Sequence, residues 1–159
     1  MTDTPSSSND LPVCVTGHRF LSHPEYLIHK RLEFIWNKLN PSIVLTGMAV
    51  GFDQLIAENC VLNNIPFKAC IPFEGQEVLW PEHIKLKYYY LLEKAQEIYL
   101  VSPPGYAAWK LLVRNKYMVD QSKAVVAYYD ASKNTGGTKH CVEYSRGLKR
   151  PILNIWDLI

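Results

Sequence analysis

The sequence predicts a doubly wound α/β domain of three layers, in which a mainly parallel sheet lies between two layers of helices. Two observations predict this fold class. Short apolar runs alternate along the chain with longer segments of helical periodicity, which is typical of βαβ units. The runs VCV, IVL, IYLV and AVVAYY are continuously apolar, which indicates strands buried on both faces of a parallel sheet.

Capping and turn residues delimit the first elements. A strand is predicted over 11–16. A helix follows the segment Ser22-His-Pro-Glu25, whose spacing is that of a capping box, and Asn40-Pro41 ends this helix. A second strand over 42–46, a helix over 52–63 and a third strand over 66–71 come next.

The second half of the chain continues the alternation. A loop from Glu74 leads to a helix around 83–95 and a fourth strand over 98–101, which ends at Ser102-Pro-Pro-Gly105. The remaining predicted elements are a helix over 107–121, a strand over 124–129, a helix that reaches Gly147, and a strand over 151–155. The polar residues 1–10 are predicted to be a disordered tail, so one domain spans 11–159.

Composition excludes several classes of protein. The chain has 159 residues, of which 48% are hydrophobic and 20% charged, and this is the composition of one globular domain. No apolar run approaches the roughly 20 residues of a membrane span, so we expect no membrane association. The net charge of +2 is too balanced to indicate nucleic-acid binding.

The cysteines and histidines indicate neither disulfides nor a metal. None of the four cysteines forms a CxxC pair, and no His/Cys cluster has the spacing of metal ligands. Buried free thiols in a domain of this size are typical of the reducing cytoplasm. We therefore expect a cytoplasmic protein with no metal and no required cofactor.

Candidate ligand-binding residues follow the ends of the predicted strands, which meet at one edge of a parallel sheet. Three of these turns place glycine before a helix, where free amide groups and the helix dipole favour an anion. The candidates are Thr16, Gly17, His18 and Arg19; Gly47, Met48, Ala49, Gly51 and Asp53; Phe73, Gln76 and Trp80; Arg114 and Asn115; and Gly136, Gly137 and Thr138.

These residue types fit a phosphate-bearing ligand. The glycine amides and the Thr138 hydroxyl would bind phosphate, and Arg19 would supply charge. Asp53 or Gln76 would bond a ribose or a base, and Phe73 or Trp80 would stack on a base. A structural interpretation stays open for several of them, because glycine serves many turns without a ligand, and His18 and Asp53 have ordinary structural uses.

The motifs together resemble the SLOG superfamily, and within it the YpsA-like branch. The resemblance covers residues 12–156 and rests on VTGHR, TGMAVGFD, PFEGQ with Trp80, RNKYMVD, and YD followed by GGT. It implies a Rossmann-like fold with strand order 3-2-1-4-5-6, a nucleotide-derived ligand such as an ADP-ribose-like or nucleoside-phosphate compound, and a homo-oligomer. Tyr88, Tyr89 and Tyr90 cannot share one helical face, so at least one is expected at a subunit contact or over a groove.

Two other branches of the superfamily imply different functions. In Lonely guy phosphoribohydrolases, an Arg and a Met on one helix precede PGGxGTxxE. Arg114 and Met118 match the first part, but Cys141 stands where the acid is expected, and Glu143 lies two positions further on. Arg114 and Glu143 are therefore the candidate catalytic residues of an N-glycosidase alternative.

The other alternative is single-stranded DNA binding. The segment from Gly47 to Asp53 resembles the glycine-rich turn of DprA, which binds single-stranded DNA. Proteins of this kind combine a basic groove with stacking aromatics, and the nearly neutral charge of this chain does not favour such a groove. Nucleic acid is therefore not the partner we expect.

Overall fold

The computed structural model describes residues 12–133 and 136–159, and within them six strands alternate with five helices. The strands are β1 (Val13–Gly17), β2 (Val44–Thr46), β3 (Phe67–Ile71), β4 (Glu97–Leu100), β5 (Ala124–Tyr128) and β6 (Ile152–Asn154). The helices are α1 (Glu25–Leu39), α2 (Phe52–Leu62), α3 (Glu82–Lys94), α4 (Ala108–Asp120) and α5 (Gly137–Gly147), and a 3₁₀ helix (Ile155–Leu158) follows β6. The predicted tail, residues 1–10, lies outside the described residues.

The six strands form one parallel sheet in the order β4-β3-β2-β1-β5-β6. The predicted α/β fold class is confirmed, and the strand order is close to the predicted one. The difference is that β4 lies at the outer edge beside β3, not between β1 and β5. The chain moves outward from β1 through three successive crossovers, and α4 then returns it to β5 on the other side of β1.

Helices cover the sheet on both faces, and each face has its own apolar core. The larger core packs α1, α2 and α3 against one face and contains Ile28, Leu32, Phe52 and Leu91. The smaller core packs α4 and α5 against the other face around Cys14, Cys70, Met118 and Cys141. This sandwich leaves the carboxyl ends of β1 and β5 next to each other, at the point where the connections diverge, and ligands of such sheets bind there.

Strand β4 differs from its prediction. The run IYLV was expected to be buried on both faces, but all four residues of β4 are exposed. Ile98 is 51% exposed, Tyr99 40% and Leu100 50%. The reason is position: an edge strand has a neighbour on one side only, and here the helices on either face lie over the inner strands.

Close packing at the end of β1 gives a first prediction. An alanine Cβ at Gly17 would lie 2.6 Å from Cβ of Phe52 and closer still to its ring. Since Phe52 is fully buried, we expect Gly17→Ala to lower the free energy of unfolding by about 1–3 kcal/mol, as overpacking does. Urea unfolding measures the change.

Gly147→Ala is the matched control, because a Cβ at Gly147 meets nothing within 4 Å. At this helical position alanine should leave the free energy of unfolding unchanged or raise it by up to about 1 kcal/mol. Equal stability of the Gly17 and Gly147 variants would mean that Phe52 moves aside without cost.

Candidate ligand-binding site

The turns after β1, β2 and β5 adjoin at the carboxyl edge of the sheet. The backbone N–H of Phe52 donates to the carbonyl of His18 at 3.2 Å, which joins the start of α2 to the turn after β1. The N–H of His18 donates to the carbonyl of Tyr128 at 3.3 Å. Asn115 Nδ2 donates to the carbonyl of Gly137 at 3.3 Å, which joins α4 to the start of α5. The structure therefore brings three of the predicted glycine turns together.

Side chains of α2 hold the turn after β2 in one conformation. Thr46 Oγ1 donates to the Asp53 carbonyl at 2.9 Å, and the Ala49 N–H donates to Asp53 Oδ2 at 3.3 Å. Gln54 Nε2 donates to the carbonyl of Met48 at 3.2 Å, and Met48 has a left-handed φ of 61°. Gln54 was not among the predicted residues. The sequence signal that could have indicated it is a polar amide within the largely apolar segment that forms α2.

Two glycines of this turn are required by packing. A Cβ at Gly47 would lie 2.5 Å from Nη1 of Arg114 and 2.9 Å from Oδ2 of Asp53. Gly51 has a φ of 92°, and a Cβ at this position would clash with the backbone carbonyl of Arg19. The structure thus supplies a reason for glycine at both positions that involves no ligand.

The glycines at the start of α5 border open space. No atom of the described residues lies within 4 Å of the Cβ position of Gly136, whose φ is 113°, and among them only Asn115 Nδ2, at 3.9 Å, approaches that of Gly137. No side chain caps this helix among the described residues, so its first amide groups have no side-chain acceptor there. Thr138, in the same turn, is half-buried. This is the one glycine turn of the three whose glycines border open space.

Arg114 and Asn115 connect the turns from beneath. Arg114 is buried, and its Nη1 donates to the carbonyls of Gly47 at 2.8 Å and of Cys70 at 3.2 Å. Its Nε donates to Oδ1 of Asn115 at 3.1 Å, and Asn115 in turn reaches Gly137. One positive side chain thus joins the turn after β2 to strand β3 and, through Asn115, is linked to the start of α5.

Asp53 is a buried carboxyl group close to that positive charge. Burial raises its pKa from 3.8 to about 6, against the opposing effects of Arg114, of the hydrogen bond from Ala49, and of Arg19. At neutral pH, Asp53 is therefore mostly ionised but easily protonated. Arg19, which is exposed on the turn after β1, also lowers the pKa of this carboxyl group.

His18 has a structural role in this structure. Its Nε2 accepts a hydrogen bond from the backbone N–H of Asp130 at 2.8 Å, so this nitrogen carries no proton. Burial and nearby Lys133 lower the pKa of His18, which keeps the ring neutral. Its ring also contacts those of Tyr129 and Trp156. The side chain therefore fixes the turn after β5.

The predicted base-stacking residues pack against protein. Phe73 is buried and makes an edge-to-face contact with Tyr106 at 5.8 Å between ring centroids. Trp80 makes the same kind of contact with Tyr88 at 5.2 Å. Gln76 Nε2 donates to the Gly47 carbonyl at 3.3 Å, so this side chain supports the turn after β2.

Two further predicted residues, Thr16 and Glu143, lie on opposite sides of α5. Thr16 is buried on β1, where its hydroxyl interacts with the Cys141 thiol beneath α5. Glu143 lies on the solvent-facing side of α5 and pairs with Lys139 at 3.5 Å. The structure therefore does not bring Glu143 to Arg114.

The opposite edge of the sheet carries a groove of about 520 Å³. Its lining includes Glu33, Trp36 and several asparagines, with no lysine, arginine or histidine. Such a lining does not favour an anion. Among residues 12–133 and 136–159, no helix is long and apolar enough to span a membrane, and no three or more His, Cys, Asp or Glu side chains cluster as metal ligands would.

Comparison with protein families decides the identity of the domain. The sequence model of the YpsA family, described as the YspA SLOG family, matches residues 13–150, which is most of the chain. The chain belongs to this SLOG family. The predicted resemblance is thereby confirmed.

A curated relative is the uncharacterised SPbeta prophage-derived protein YoqJ of Bacillus subtilis strain 168. The two sequences are 33% identical over 134 residues, which cover 72% of this chain and 75% of YoqJ. The name of YoqJ carries no activity, so the relative supports the family and nothing more specific.

Solved structures with the same fold include DNA processing protein A (DprA) from two bacteria. The Streptococcus pneumoniae protein has a TM-score of 0.66 at 19% identity, over 91% of this chain and 50% of that one. The Helicobacter pylori protein, whose structure concerns its single-stranded DNA binding, has a TM-score of 0.66 at 16% identity, over 89% of this chain and 63% of that one. This chain thus spans half of the length of the first DprA protein and less than two thirds of the length of the second.

A third solved structure is TM1055, a structural genomics target. It has a TM-score of 0.58 at 13% identity, over 93% of this chain and 79% of that one. At such identities these three likenesses show the fold alone.

The raised pKa of Asp53 predicts how stability depends on pH. The folded protein binds a proton at Asp53 more tightly than the unfolded chain does, so this stabilisation is complete below pH 3.8 and is lost as the pH rises to about 6 and above. Asp53→Asn should remove that loss. Relative to wild type, the variant should gain stability between pH 4 and pH 7.5, by up to about 3 kcal/mol.

Urea unfolding at pH 4 and pH 7.5 measures this difference, and the ¹³C chemical shift of the Asp53 carboxyl group reports its titration directly. Asp130→Asn is the control, because this exposed carboxylate has a lowered pKa and should change stability in the opposite direction, if at all. A pH-independent difference between wild type and Asp53→Asn would contradict the burial argument.

Proposed function

We propose that this SLOG protein binds a nucleotide-derived small molecule, an ADP-ribose-like or nucleoside-phosphate compound, at the carboxyl edge of its sheet. The observation that carries the proposal is the open start of α5. There, Gly136 and Gly137 border free space, directly beside the buried Arg114–Asn115 pair. A phosphate over this turn would meet amide groups and the positive end of a helix, and Asn115 would lie between it and the buried guanidinium of Arg114.

Each of these groups favours an anion for a separate physical reason. The first amide groups of a helix lack intrahelical acceptors, and the helix dipole adds a partial positive charge. Glycine lets an oxygen approach the backbone closely, because no Cβ intervenes. Arg114 is held in place by two carbonyl groups, so its charge needs no reorganisation when a ligand binds.

The exposed residues around this turn would complete the site. The guanidinium of Arg19 is exposed on the turn after β1 and can reach a phosphate or a carboxylate. The Thr138 hydroxyl, in the first turn of α5, is a further donor. No metal or cofactor is part of the proposal, and the four buried free cysteines are consistent with a cytoplasmic protein.

Sensing or sequestering the ligand, not cleaving it, is the role we propose. Cleavage of an N-glycosidic bond passes through a sugar cation that a carboxylate must stabilise. Glu143, the candidate for that role, faces solvent on α5. Asp53 accepts a hydrogen bond from Ala49 beneath the turn and is 7% exposed.

The start of α5 gives a direct test of binding. Gly137→Ala should fold normally, since its Cβ would have only Asn115 Nδ2 nearby, at 3.9 Å. The same methyl group would occupy the space where a phosphate must approach the backbone, so we expect at least a tenfold loss of affinity for ADP-ribose or nucleoside monophosphates. Isothermal titration calorimetry measures it, after mass spectrometry has identified any nucleotide that co-purifies.

Gly147→Ala is the matched control, because it makes the same change at the other end of α5. If the two variants bound the nucleotide with equal affinity, the assignment of phosphate binding to this turn would be wrong. Nanomolar binding of a single-stranded oligonucleotide that weakens steeply with salt, without nucleotide binding, would instead support a nucleic-acid partner.

The position of Glu143 predicts the outcome of a hydrolase assay. Wild type should release no free base from adenosine, guanosine or cytidine monophosphate above the background, as followed by chromatography. A correctly positioned general acid or base typically contributes a factor of about 10²–10⁴ in rate, so without one the release of base should be too slow to detect. Turnover that disappears in Glu143→Gln but persists in Glu93→Gln, a control on α3, would establish the glycosidase alternative.

A further inference from the structure

Over the first two turns of helix α4, polar side chains are buried and apolar side chains are exposed, whereas Met118 and Val119 near its end join the core. Lys110, Arg114 and Asn115 are buried, whereas Trp109 is 56% exposed and Leu112 is 37% exposed. A surface helix ordinarily has the opposite arrangement. The buried polar face is explained by the site, because Arg114 and Asn115 hold its turns. The exposed apolar face is not explained by any contact among the described residues.

That face is one continuous stripe. Trp109, Leu112 and Val113 are spaced by three and four residues, so they lie on the same side of α4. Tyr117 continues the stripe by one turn and stacks on Tyr99 of β4 at 4.8 Å between ring centroids. The stripe on α4 therefore runs into the edge strand of the sheet.

Strand β4 is uncovered on both faces. Tyr99 lies on the face of α4, as its stack with Tyr117 shows. Ile98 and Leu100 lie on the other face, since they pair with Ala69 and Ile71 of β3, which belong to the core under α1, α2 and α3. Half of each of these two aliphatic side chains is exposed.

The outer edge of β4 also lacks the usual protection against pairing. Natural edge strands are blunted by lysine, proline, bulges or a covering segment. The segment Glu97–Leu100 contains neither lysine nor proline, and the carboxylate of Glu97 is paired with Lys68 of β3 at 3.2 Å. In the described part of the chain, the hydrogen bonds of β4 run to β3.

We propose that a second copy of this chain docks on this surface, with the two β4 edges pairing antiparallel about a two-fold axis. The surface is defined as β4 together with Trp109, Leu112 and Val113 of α4. Pairing of the edges would join the two sheets into one of twelve strands and would bring the two α4 stripes together on one face.

Self-complementarity favours a second copy over another protein. An edge strand offers donors and acceptors alike, so two identical edges satisfy each other about a two-fold axis. With Tyr99 opposite Tyr99 of the other copy, Ile98 of each copy faces Leu100 of the other, which gives aromatic and aliphatic pairs. Because Glu97 is neutralised within its own chain, the two copies bring no unpaired like charges together.

The size of the surface fits a dimer. Its six apolar side chains are each 37–56% exposed. Together they amount to several hundred Å², which is at or above the largest apolar patch of a typical monomer, roughly 300–600 Å². Backbone and polar groups of the edges would bring this close to the roughly 800 Å² per partner of a stable interface.

Tyr90 of α3 is 52% exposed and Leu86, one turn earlier, is 61% exposed, so α3 also has an exposed apolar pair. Tyr88 is buried, and Tyr89 is bonded to Glu77. Of the three successive tyrosines, Tyr90 is therefore the one that fits the expected subunit contact. This inference does not depend on the proposed nucleotide binding.

Analytical ultracentrifugation tests the proposal. Wild type should sediment at micromolar concentration as a dimer, with twice the 18.3 kDa mass of the chain. Ile98→Lys, which places a charge on the exposed face of β4, should sediment as a folded monomer, with folding verified by circular dichroism. Phe34→Lys is the matched control, because Phe34 is 66% exposed on α1, away from this surface, and the variant should remain a dimer.

Disulfide cross-linking tests the pairing itself. Tyr99→Cys should form a dimer on mild oxidation, because directly opposed residues of antiparallel strands lie about 4.5–5.5 Å apart at Cα, within reach of a disulfide. The native cysteines are all buried, so Phe34→Cys should stay uncross-linked. A monomeric wild type, or a dimer that is unaffected by Ile98→Lys and not cross-linked by Tyr99→Cys, would overturn the proposal.

Discussion

The buried guanidinium of Arg114 is the contact on which the carboxyl edge of this domain depends. It spans the carbonyls of Gly47 and Cys70 and therefore ties the turn after β2 to the neighbouring strand β3. Burial of a positive charge is costly unless carbonyl groups or an opposite charge compensate it. Here two carbonyls bond it directly, and Asp53 supplies a nearby negative charge. Removal of the side chain would break both of these hydrogen bonds and would take the opposite charge of Arg114 away from Asp53.

This contact also separates two uses of glycine that look the same in the sequence. Gly47 must lack a side chain because Arg114 occupies the space where a Cβ would lie, and Gly51 must lack one because of its left-handed backbone. Gly136 and Gly137 instead border open space at the start of α5. Gly47 and Gly51 are thus required by the packing of the turn itself, whereas Gly136 and Gly137 leave space beside the backbone that a ligand can occupy. The proposed ligand therefore lies over α5 and not over the turn after β2.

Helix α4 links the site to the outer surface of the molecule. Its inner face supplies Arg114 and Asn115, and Lys110 donates to three successive carbonyls of the segment Pro103–Gly105, which leads into the helix. These polar side chains occupy the inner face over the first two turns of α4, where Trp109, Leu112 and Val113 are exposed on the outer face. The exposed stripe adjoins the uncovered β4 through the stack of Tyr117 on Tyr99, and in the proposed dimer a second copy of the chain would bury both.

The sequence by itself determined the fold class, the alternation of elements and the set of turns at the carboxyl edge, because these depend on local periodicity and on where apolar runs end. Their boundaries agree to within about two residues for most elements, as expected where caps and turns are local. It also determined that Cys141 replaces the expected acid, since this is a matter of residue order.

Tertiary structure alone decided the rest. The run IYLV has the composition of a buried strand, but whether a strand is central or at an edge depends on the direction of the crossovers, which no local pattern encodes. Phe73 and Trp80 are aromatic in either role, and only packing shows that their rings contact Tyr106 and Tyr88. Likewise, whether a glycine borders a side chain or open space depends on residues distant in sequence, because Arg114 reaches Gly47 from 67 positions away.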